Sequence, residues 1–474
     1  MRILFVRPHS TVPSAAPPLG LLYLSAYLRA HSPQHHISIC DARFKEYSFD
    51  QIERIIAEER PDLLGITSFS MENKEAHEIA KRGKSHFPQM PVVVGGPYAT
   101  SDYTRALSDT NIDIAVIGEA ERSFHQLVTA LDGGGGLGNG SAWTNVRELA
   151  YRKNGSIVKT EVQEFVENLD ELPYPAWDLV KLEEYFQRRG TRKRTSFNQH
   201  QMKQRVLSIF TTRGCPYRCT YCHNLFGKKL RKRSVENVIG ELRLMKDQYG
   251  VEEVEIIDDI FNLDLDRAKQ IFRRIIEEKL DFKFSFPNGL RTDRLDDEIL
   301  DLFKQGGVYR LVFAIESGTP RVQKLIKKNL DLEKAQRNIA LAAKRSFSMG
   351  GFFMIGFLDE TEEEIWNTIN FALQSKLQTA AFFIVTPFPN TEIWEEAQKL
   401  GLNLSADYEH YQKVSVNISK VPSERLAQLR KLAFRRFYLN PWRLWSFMRT
   451  TPWRDRFFEK IWILIAASFF KYEK

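Results

Sequence analysis

Residues 206–224 read VLSIFTTRGCPYRCTYCHN, a stretch that contains three of the four cysteines of this 474-residue chain. Cys215, Cys219 and Cys222 fall within eight residues, with the spacing Cys-x3-Cys-x2-Cys. Thiolates this close together can hold three irons of a cubane cluster. A 4Fe–4S cluster normally has four cysteine ligands, so a three-cysteine site leaves one iron open to a substrate or cofactor. The motif therefore predicts an iron–sulfur cluster with one open iron.

Two simpler explanations of the motif fit less well. Disulfide bonds would leave one of the three cysteines unpaired, and a zinc ion would need a fourth ligand. His223 directly follows Cys222 and is poorly placed for that role. The fourth cysteine, Cys40, lies in an apolar run and is predicted to be a core residue.

The cysteine motif, preceded by the apolar run 206–210 and by Arg213 and Gly214, resembles that of the radical S-adenosylmethionine enzymes. In that family the open iron chelates the methionine end of S-adenosylmethionine. The resemblance implies reductive cleavage to methionine and a 5′-deoxyadenosyl radical, which abstracts a hydrogen atom from the substrate. Tyr221 resembles the aromatic residue that the family places against the cluster and the adenine, although a packed core tyrosine would give the same pattern.

Length and composition agree with an intracellular, globular protein. At about 150 residues per domain, 474 residues correspond to two or three domains. Residues 1–6 begin as a strand without a signal-peptide pattern, and four cysteines are too few for a secreted disulfide scaffold. We therefore expect a cytoplasmic protein, in which a reduced cluster survives.

The N-terminal region alternates between strand and helix patterns. Apolar runs predict strands at 3–6, 37–40, 63–67, 92–94 and 114–117, and helical periodicity predicts helices at 19–30, 49–59 and 71–86. Such alternation indicates an α/β fold with a parallel, doubly wound (Rossmann-like) sheet. Sheets of this kind bind ligands at the carboxyl ends of their strands, where the strand order switches.

The loops after these strands carry residues that suit a large, flat ligand. Paired glycines, Gly95 and Gly96, allow the backbone to approach a ligand closely. The order and spacing of the loops resemble the cobalamin-binding domain of cobalamin-dependent radical S-adenosylmethionine enzymes, and the turn 118–121 is similar to one of theirs. The resemblance implies that cobalamin contacts Pro17, Leu19, Gly20, Ser68, Ser70, Gly95 and Gly96.

One stretch departs from the pattern of many cobalamin domains. They carry Asp-x-His-x-x-Gly after the second strand, with the histidine coordinating cobalt from below. Here the stretch is Asp41-Ala42-Arg43-Phe44-Lys45-Glu46, in which the histidine and the glycine are both missing. Cobalamin is therefore expected to bind without a histidine lower ligand.

From residue 206 the alternation of strands and helices resumes. Strands are predicted at the run 206–210 and near 254–257, 284–287, 308–315, 351–355 and 380–385. Six strands alternating with helices predict a partial (β/α)6 barrel of the TIM type, with functional residues on loops at the strand carboxyl ends.

Polar residues and short motifs stand at those strand ends. The family resemblance implies that S-adenosylmethionine is bound by Asp258, Asp259, Arg291, Glu316, Ser317, Phe352 and Gly356. Glu316 and Ser317 would contact its ribose or carboxylate, and the segment 352–356 would pass its adenine. Carboxylates at strand ends also cap the following helix, so structural roles stay open.

We divide the chain into four regions. They are a cobalamin-binding-like domain (1–132), a connector (133–205), a radical S-adenosylmethionine barrel (206–400) and a helical, basic and aromatic C-terminal region (401–474). The connector contains a glycine-rich insertion at 133–140 and a basic polar loop at 188–204.

The C-terminal region carries the excess positive charge of the chain. Residues 421–474 contain twelve Lys or Arg, four acidic residues and four of the eight tryptophans, and the whole chain has a net charge of +8. The longest apolar run there, 461–470, has ten residues, whereas a spanning helix needs about 20. We predict an interfacial helix on an anionic membrane, with docking on the barrel as the alternative. No recognised nucleic-acid module is present, so nucleic acid is not an expected partner.

The combined pattern predicts an enzyme that abstracts a hydrogen atom and then transfers a methyl group from methylcobalamin. The substrate is expected to be a hydrophobic molecule, such as a lipid, isoprenoid or tetrapyrrole, or a natural product, and a flavodoxin or ferredoxin is the expected reductant. The alternatives are a non-methylating oxidative cyclase or rearrangement enzyme, and a non-catalytic cobalamin or iron–sulfur sensor. Methylthio transfer is disfavoured because those enzymes carry further N-terminal cysteines, and here only Cys40 is available.

Overall fold

The computed structural model describes residues 1–10, 16–133, 142–161, 165–189, 201–223, 225–402, 404 and 416–450. The chain divides into an N-terminal unit, Met1–Asn198 with Leu225–Gly227, and a C-terminal unit, Gln199–Asn224 with Lys228–Lys474. The predictions for the glycine-rich insertion, for most of the loop 188–204 and for the apolar run 461–470 fall outside the described residues.

The N-terminal unit is built on a seven-stranded sheet. Its strands are β1 (Arg2–Arg7), β2 (His36–Asp41), β3 (Leu63–Thr67), β4 (Val92–Gly95), β5 (Ile114–Val116), β6 (Leu149–Lys153) and β7 (Ser156–Lys159). The order is β2-β1-β3-β4-β5-β6-β7, and β1 to β5 are parallel. The strand order therefore switches between β1 and β3, where sheets of this kind bind ligands. The doubly wound parallel arrangement is confirmed for these five strands.

Helices cover both faces of this sheet. They are α1 (Leu19–His31), α2 (Ala42–Lys45), α3 (Phe49–Glu59), α4 (Asn73–His86), α5 (Gly96–Ser101), α6 (Tyr103–Ser108), α7 (Ala120–Asp132) and α8 (Leu182–Arg189). Leu4 and Val6 of β1 join one apolar core, whereas Ile3 and Phe5 join the other. Successive strand residues point to opposite faces, and both faces are buried, which explains why these strands are continuous apolar runs.

Residues 149–159, which the sequence places in the connector, add two strands to the sheet. β6 pairs with β5, and β7 pairs with β6, both antiparallel. Ser156 and Ile157 of β7 are exposed at the edge of the sheet. An edge strand with this composition lacks an apolar run, so the sequence pattern did not indicate it.

The C-terminal unit contains a six-stranded parallel sheet and a small two-stranded one. The strands are β8 (Val206–Ile209), β9 (Thr212–Arg213), β10 (Arg231–Lys232), β11 (Glu253–Ile256), β12 (Lys283–Leu290), β13 (Val308–Glu316), β14 (Ser348–Ile355) and β15 (Thr379–Ile384). The large sheet has the sequential order β8-β11-β12-β13-β14-β15, and β9 pairs with β10. Sequential parallel strands joined by helices are the arrangement of the predicted partial (β/α)6 barrel.

The described part of this unit has nine α-helices, most of which begin at a side-chain cap. They are α9 (Val235–Tyr249), α10 (Leu265–Glu277), α11 (Asp297–Gln305), α12 (Pro320–Leu325), α13 (Leu332–Lys344), α14 (Glu362–Gln374), α15 (Glu392–Lys399), α16 (Ser423–Tyr438) and α17 (Pro441–Thr450). Ser234, Asp264, Asp296 and Thr361, for example, accept a backbone N–H at the starts of α9, α10, α11 and α14.

The helix α16 packs against the barrel at β15. Leu426, Leu429 and Phe437 are buried, Arg430 donates to the Phe382 carbonyl at 2.8 Å, and Tyr438 Oη bonds the backbone of Ala380. The alternative prediction, that the C-terminal region docks on the barrel, is therefore confirmed for α16. None of the helices in the described residues combines the length and the apolar character needed to cross a membrane.

Candidate active site

The three clustered cysteines lie on the loop between β9 and β10, beyond the carboxyl end of β8. Gly214 precedes them with φ +85°, a left-handed conformation that favours glycine. Cys215 and Cys219 are half-buried, and Cys222 is exposed. The loop thus presents three thiols at the barrel edge where the sequence predicted the site.

Two carboxylates at the end of β11 hold this loop. Asp258 accepts hydrogen bonds from Thr211, at 2.6 Å from the backbone nitrogen and 2.5 Å from the hydroxyl oxygen. Asp259 accepts a hydrogen bond from the backbone of Gly214, immediately before Cys215. Asp258 is buried, and both of its carboxylate oxygens accept hydrogen bonds from Thr211, the residue before β9. Its contact with S-adenosylmethionine stays a prediction. Asp259 remains accessible to water.

The other side of the cysteine loop is fixed through Thr220. Its backbone N–H donates to the Ile326 carbonyl at 3.1 Å, and its carbonyl accepts from Ile393 at 3.0 Å. These bonds connect the loop to the C-terminal end of α12 and to the first turn of α15. The spacing of the three thiols is therefore set by tertiary contacts on both sides.

The environment of the thiols suits a cluster. Cys222 and Asp259 are accessible to water, although protein atoms crowd around them. Burial raises the pKa of Cys222 to about 12 and also raises the pKa of Cys215. Binding of iron would therefore release protons from these thiols. Within the described ranges no group of three or more His, Cys, Asp or Glu side chains is already arranged to hold a metal ion.

Lys328 is a site residue that the sequence analysis missed. Its ammonium group is buried, and it donates to Glu316 Oε1 at 3.1 Å and to Tyr221 Oη at 3.4 Å. Glu316 has φ +67°, a left-handed conformation that is uncommon for a residue other than glycine. The cluster combines one cation, one carboxylate and one phenol within reach of the cysteine loop. Only the contacts reveal it, since Lys327-Lys328 in the sequence looks like a surface pair.

The aromatic side chains near the loop have distinct neighbours. Tyr221 lies 5.8 Å from the Phe357 ring, centroid to centroid, and burial raises its pKa. Arg291 lies 4.0 Å above the Tyr217 ring and is paired with Asp293 at 2.8 Å. Arg291 also donates to two backbone carbonyls, so it braces the loop after β12.

Two further predicted cofactor residues, Ser317 and Gly356, make contacts within the protein. Ser317 is fully buried, and its hydroxyl lies 3.1 Å from the Thr368 hydroxyl. Gly356 has φ +87°, its N–H donates to Glu360 at 2.6 Å, and a Cβ there would lie 2.8 Å from Leu426 of α16. Both residues thus have partners within the protein, and their contacts with S-adenosylmethionine stay predictions. Phe352, by contrast, is only half-buried and contacts Phe383 edge to face at 5.9 Å.

The predicted cobalamin loops lie at the carboxyl ends of β1, β3 and β4. Pro17, Leu19 and Ser68 are buried, Ser70 and Gly95 are half-buried, and Gly20 is exposed. Neither Gly20 nor Gly95 has another heavy atom within 4 Å of a built Cβ, so their backbone is open to a ligand. The buried Ser68 hydroxyl has no hydrogen-bond partner among the described residues, as expected for a group that bonds a ligand. These features fit cobalamin.

Arg43 stands where many cobalamin domains have their cobalt-coordinating histidine. It lies on the short helix α2, pairs with the buried Glu72 and places its guanidinium 5.6 Å from the Phe69 ring. Asp41 caps α2 and accepts a hydrogen bond from Tyr185 at 2.7 Å. The stretch after β2 thus presents an arginine ion pair in place of an imidazole.

Comparison with known proteins agrees with this geometry. Residues 209–372 match the Radical SAM superfamily, and residues 9–128 match the B12 binding domain. The uncharacterized methyltransferase PH0819 of Pyrococcus horikoshii is 32% identical over 93% of each chain. Cytidylyl-2-hydroxyethylphosphonate methyltransferase of Streptomyces wedmorensis is 29% identical over 84% of this chain and 82% of that protein. The fold resembles the radical S-adenosylmethionine methyltransferase TsrM of Kitasatospora setae, with a TM-score of 0.69, 19% identity and coverage of 84% and 76% of the two chains.

The fold and the site define an α/β protein with a cobalamin-type sheet unit and a barrel unit that carries three clustered thiols. The chain belongs to the radical S-adenosylmethionine enzymes that contain a B12-binding domain. The two family matches give S-adenosylmethionine and cobalamin as its cofactors, and its three thiols suit a 4Fe–4S cluster such as the one bound in a structure of TsrM.

Proposed function

We propose that this enzyme transfers a methyl group to a carbon or phosphorus centre of a small-molecule substrate, after abstracting a hydrogen atom from it. The observation that carries the proposal is the three-thiol loop of the barrel, which occurs in one chain with a B12-binding domain. The relative at 32% identity over 93% of each chain, named a methyltransferase, supports it further.

The cofactors supply the difficult chemistry and the protein supplies their binding and orientation. When bound, the cluster and S-adenosylmethionine provide a 5′-deoxyadenosyl radical, and cobalamin provides the methyl group. Cys215, Cys219 and Cys222 would hold the cluster. Lys328 would bind a carboxylate such as that of the methionine moiety, beside Glu316, which would contact the ribose or the carboxylate. Tyr221 and Phe352 would face the adenine.

The loop contacts have a separate task, which is to keep the thiols in place. Asp258 and Asp259 hold the start of the cysteine loop, and Thr220 holds its end. In the other unit, the Ser68 hydroxyl and the open backbone at Gly20 and Gly95 would contact cobalamin. Holding both cofactors in fixed positions and excluding water are the roles left to the protein.

The substrate class and the partners belong to the same proposal. The basic, tryptophan-rich residues 421–474 favour a hydrophobic substrate such as a lipid, isoprenoid or tetrapyrrole, although a natural product of another class is compatible. Flavodoxin or ferredoxin would supply the electron. The protein would then be cytoplasmic and lie at the inner face of an anionic membrane.

The test is anaerobic reconstitution with iron, sulfide and cobalamin, followed by assay of the reduced enzyme with S-adenosylmethionine. We expect a cluster, about one cobalamin per chain, and both 5′-deoxyadenosine and S-adenosylhomocysteine as products. S-adenosylhomocysteine reports methyl donation to cobalamin, and 5′-deoxyadenosine reports the radical step.

Two other outcomes would replace the proposal. 5′-Deoxyadenosine without S-adenosylhomocysteine would identify a non-methylating cyclase or rearrangement enzyme. Bound cofactors without either product, across a panel of candidate substrates and reductants, would favour a sensor.

A further inference from the structure

Exposed apolar side chains are concentrated at the turn between α16 and α17. Among the described residues the large apolar side chains that are exposed are Phe69, Ile157, Leu400, Leu439, Trp442 and Trp445. Three of these six fall within the seven residues 439–445, with exposed fractions of 58%, 41% and 53%. We call Leu439, Trp442 and Trp445 the tryptophan patch. A contiguous apolar patch on a protein surface marks an interaction site more often than scattered residues do.

The tryptophan patch is held rigidly by the residue between its two tryptophans. Arg443 is 2% exposed, and its guanidinium donates to the carbonyls of Ala372 at 2.9 Å and of Ser375 at 3.2 Å, at the end of α14. The guanidinium also lies 3.9 Å from the Phe437 ring. Because Arg443 points into the protein, helical geometry turns the neighbouring tryptophans toward solvent. Their exposure is therefore built into the fold and does not reflect a frayed helix end.

Positive charges surround the patch. Lys376 Nζ lies 5.0 Å from the Trp442 ring, and the Arg449 guanidinium lies 5.5 Å from the Trp445 ring. Arg436, one turn before Leu439, is exposed and lies over the Trp366 ring at 4.7 Å. Residues 423–450 contain seven Lys or Arg and one acidic residue, and all of the seven except Arg430 and Arg443 are at least partly exposed. The rim of the patch therefore matches an anionic surface.

We propose that the tryptophan patch is the part of this enzyme that contacts an anionic lipid bilayer. Tryptophan is favoured at the headgroup level because one end of its ring system is apolar and the other can donate a hydrogen bond. Basic side chains near an anionic leaflet add attraction that salt weakens. Within the described residues of 421–474, the proposal places the membrane contact at the tryptophan patch and its basic rim, because α16 buries Leu426, Leu429 and Phe437 against the barrel. It deepens the proposed function, which includes a hydrophobic substrate.

The test is flotation of the full-length, cofactor-loaded enzyme with vesicles. Wild-type protein is expected to bind vesicles that contain phosphatidylserine or phosphatidylglycerol and to bind pure phosphatidylcholine at least tenfold more weakly. Trp442→Ala/Trp445→Ala should weaken binding to anionic vesicles at least tenfold. Leu400→Ala is the matched control, since Leu400 is 61% exposed but lies outside the patch, and it should bind like the wild type.

A second double variant tests the charges separately. Lys376→Gln/Arg449→Gln keeps both tryptophans and should weaken binding to anionic vesicles several-fold while reducing its dependence on salt. Because all four substituted side chains are exposed, circular dichroism and the melting temperature should stay unchanged in every variant.

Four results would contradict a membrane contact at the tryptophan patch. Absence of wild-type binding to anionic vesicles, or equal binding by the tryptophan variant, would overturn the proposal. A dimer that the tryptophan variant converts to a monomer, measured by sedimentation, would instead assign the patch to a second copy of the chain. Burial of both tryptophans by residues 451–474, seen as protection from a soluble quencher without lipid, would also overturn it.

Production of 5′-deoxyadenosine without lipid should be unchanged in all variants, so failure of the membrane contact and failure of the proposed function are distinguishable.

Discussion

Each unit has its candidate ligand-binding groups at the carboxyl ends of its own parallel strands, but the groups differ in their chemistry. In the N-terminal unit that edge offers open backbone at Gly20 and Gly95 and the Ser68 hydroxyl. In the C-terminal unit the edge offers three thiols, a carboxylate and a buried ammonium group. A large, rigid ligand can be bound mainly by shape, whereas a metal cluster and a charged ligand need donor atoms and opposite charge. We therefore expect substitutions in the N-terminal unit to weaken ligand binding by filling space or straining the backbone. In the C-terminal unit we expect them to weaken binding by removing a thiol or a charge.

The largest expected effect comes from removing a cluster thiol. Cys219→Ala should reduce cluster iron and sulfide severely and abolish 5′-deoxyadenosine formation, because two thiols cannot hold the cluster with one defined open iron. Cys40→Ala is the control within the other unit, where the cysteine is a buried core residue 5% exposed. Iron analysis and product assay measure both. Retention of activity in Cys219→Ala would contradict the assigned site.

The pH dependence of stability tests whether the C-terminal unit contains a buried carboxyl group that keeps its proton near neutral pH. Burial raises the pKa of Glu253 from 4.5 to about 7. Between these pH values the folded protein holds the proton and the unfolded chain does not, so the contribution of Glu253 to stability falls as pH rises from about 4.5 to 7. At about 1.36 kcal/mol per unit, this amounts to about 3 kcal/mol.

Glu253→Gln removes that titration, while the amide oxygen can still accept the backbone N–H groups of Met202 and Lys203. We expect the free energy of unfolding of the variant, relative to wild type, to rise between pH 5 and pH 8. Denaturant titrations of the full chain at both values measure it. A pH-independent difference would show that this carboxyl is ionised in the fold throughout.

Lys328 is expected to act on one ligand. Lys328→Met should weaken binding of S-adenosylmethionine to reconstituted enzyme about 10- to 100-fold, since hydrogen bonds to charged groups contribute about 1.5–3 kcal/mol. Lys327→Met is the matched control, because Lys327 is an exposed neighbour that pairs with Glu392. Calorimetric titration distinguishes them, and cobalamin binding should not change. Equal affinities of the two variants would remove Lys328 from the site.

The smallest expected effect concerns the backbone of the N-terminal unit. Gly96 has φ +85°, and a Cβ there would lie 2.7 Å from Thr67 Oγ1. Gly155 has φ +78° but no heavy atom within 4 Å of a built Cβ. Both alanine variants should lose about 1–2 kcal/mol of stability to the left-handed conformation.

Gly96→Ala should lose more than Gly155→Ala because of its contact, and it alone should weaken cobalamin binding. Thermal unfolding and cobalamin titration compare the two variants. Equal cobalamin affinity in Gly96→Ala and Gly155→Ala would mean that the loop after β4 does not approach the cofactor.

Most of the regular structure could be predicted from local patterns. Leu63–Thr67 and Phe49–Glu59 have the bounds that their apolar runs and periodicity predict, because buried strands and capped helices carry strong local signals. β7 could not be predicted, because an exposed edge strand has almost no apolar pattern. The cysteine motif was likewise readable, since its ligands are close in sequence.

The roles of the residues around the motif were less readable. Asp258 and Ser317 lie at strand ends, as ligand-binding residues often do. The Asp258 carboxylate nevertheless accepts a hydrogen bond from Thr211, and the Ser317 hydroxyl bonds the Thr368 hydroxyl. Lys328 is separated from Cys222 by more than 100 residues, and its side chain reaches the site through Glu316 and Tyr221. Long-range contacts of this kind leave no local trace in the sequence.

The sequence by itself determined the two parallel α/β units, the three cluster cysteines and the missing histidine below cobalt, because each depends on residue type and spacing within a short segment. Only the tertiary structure decided which polar groups at the strand ends serve the fold and which remain available. It also separated the buried face of α16 from the exposed Trp442 and Trp445. The physical reason is that hydrogen-bond satisfaction and burial depend on partners that are distant along the chain.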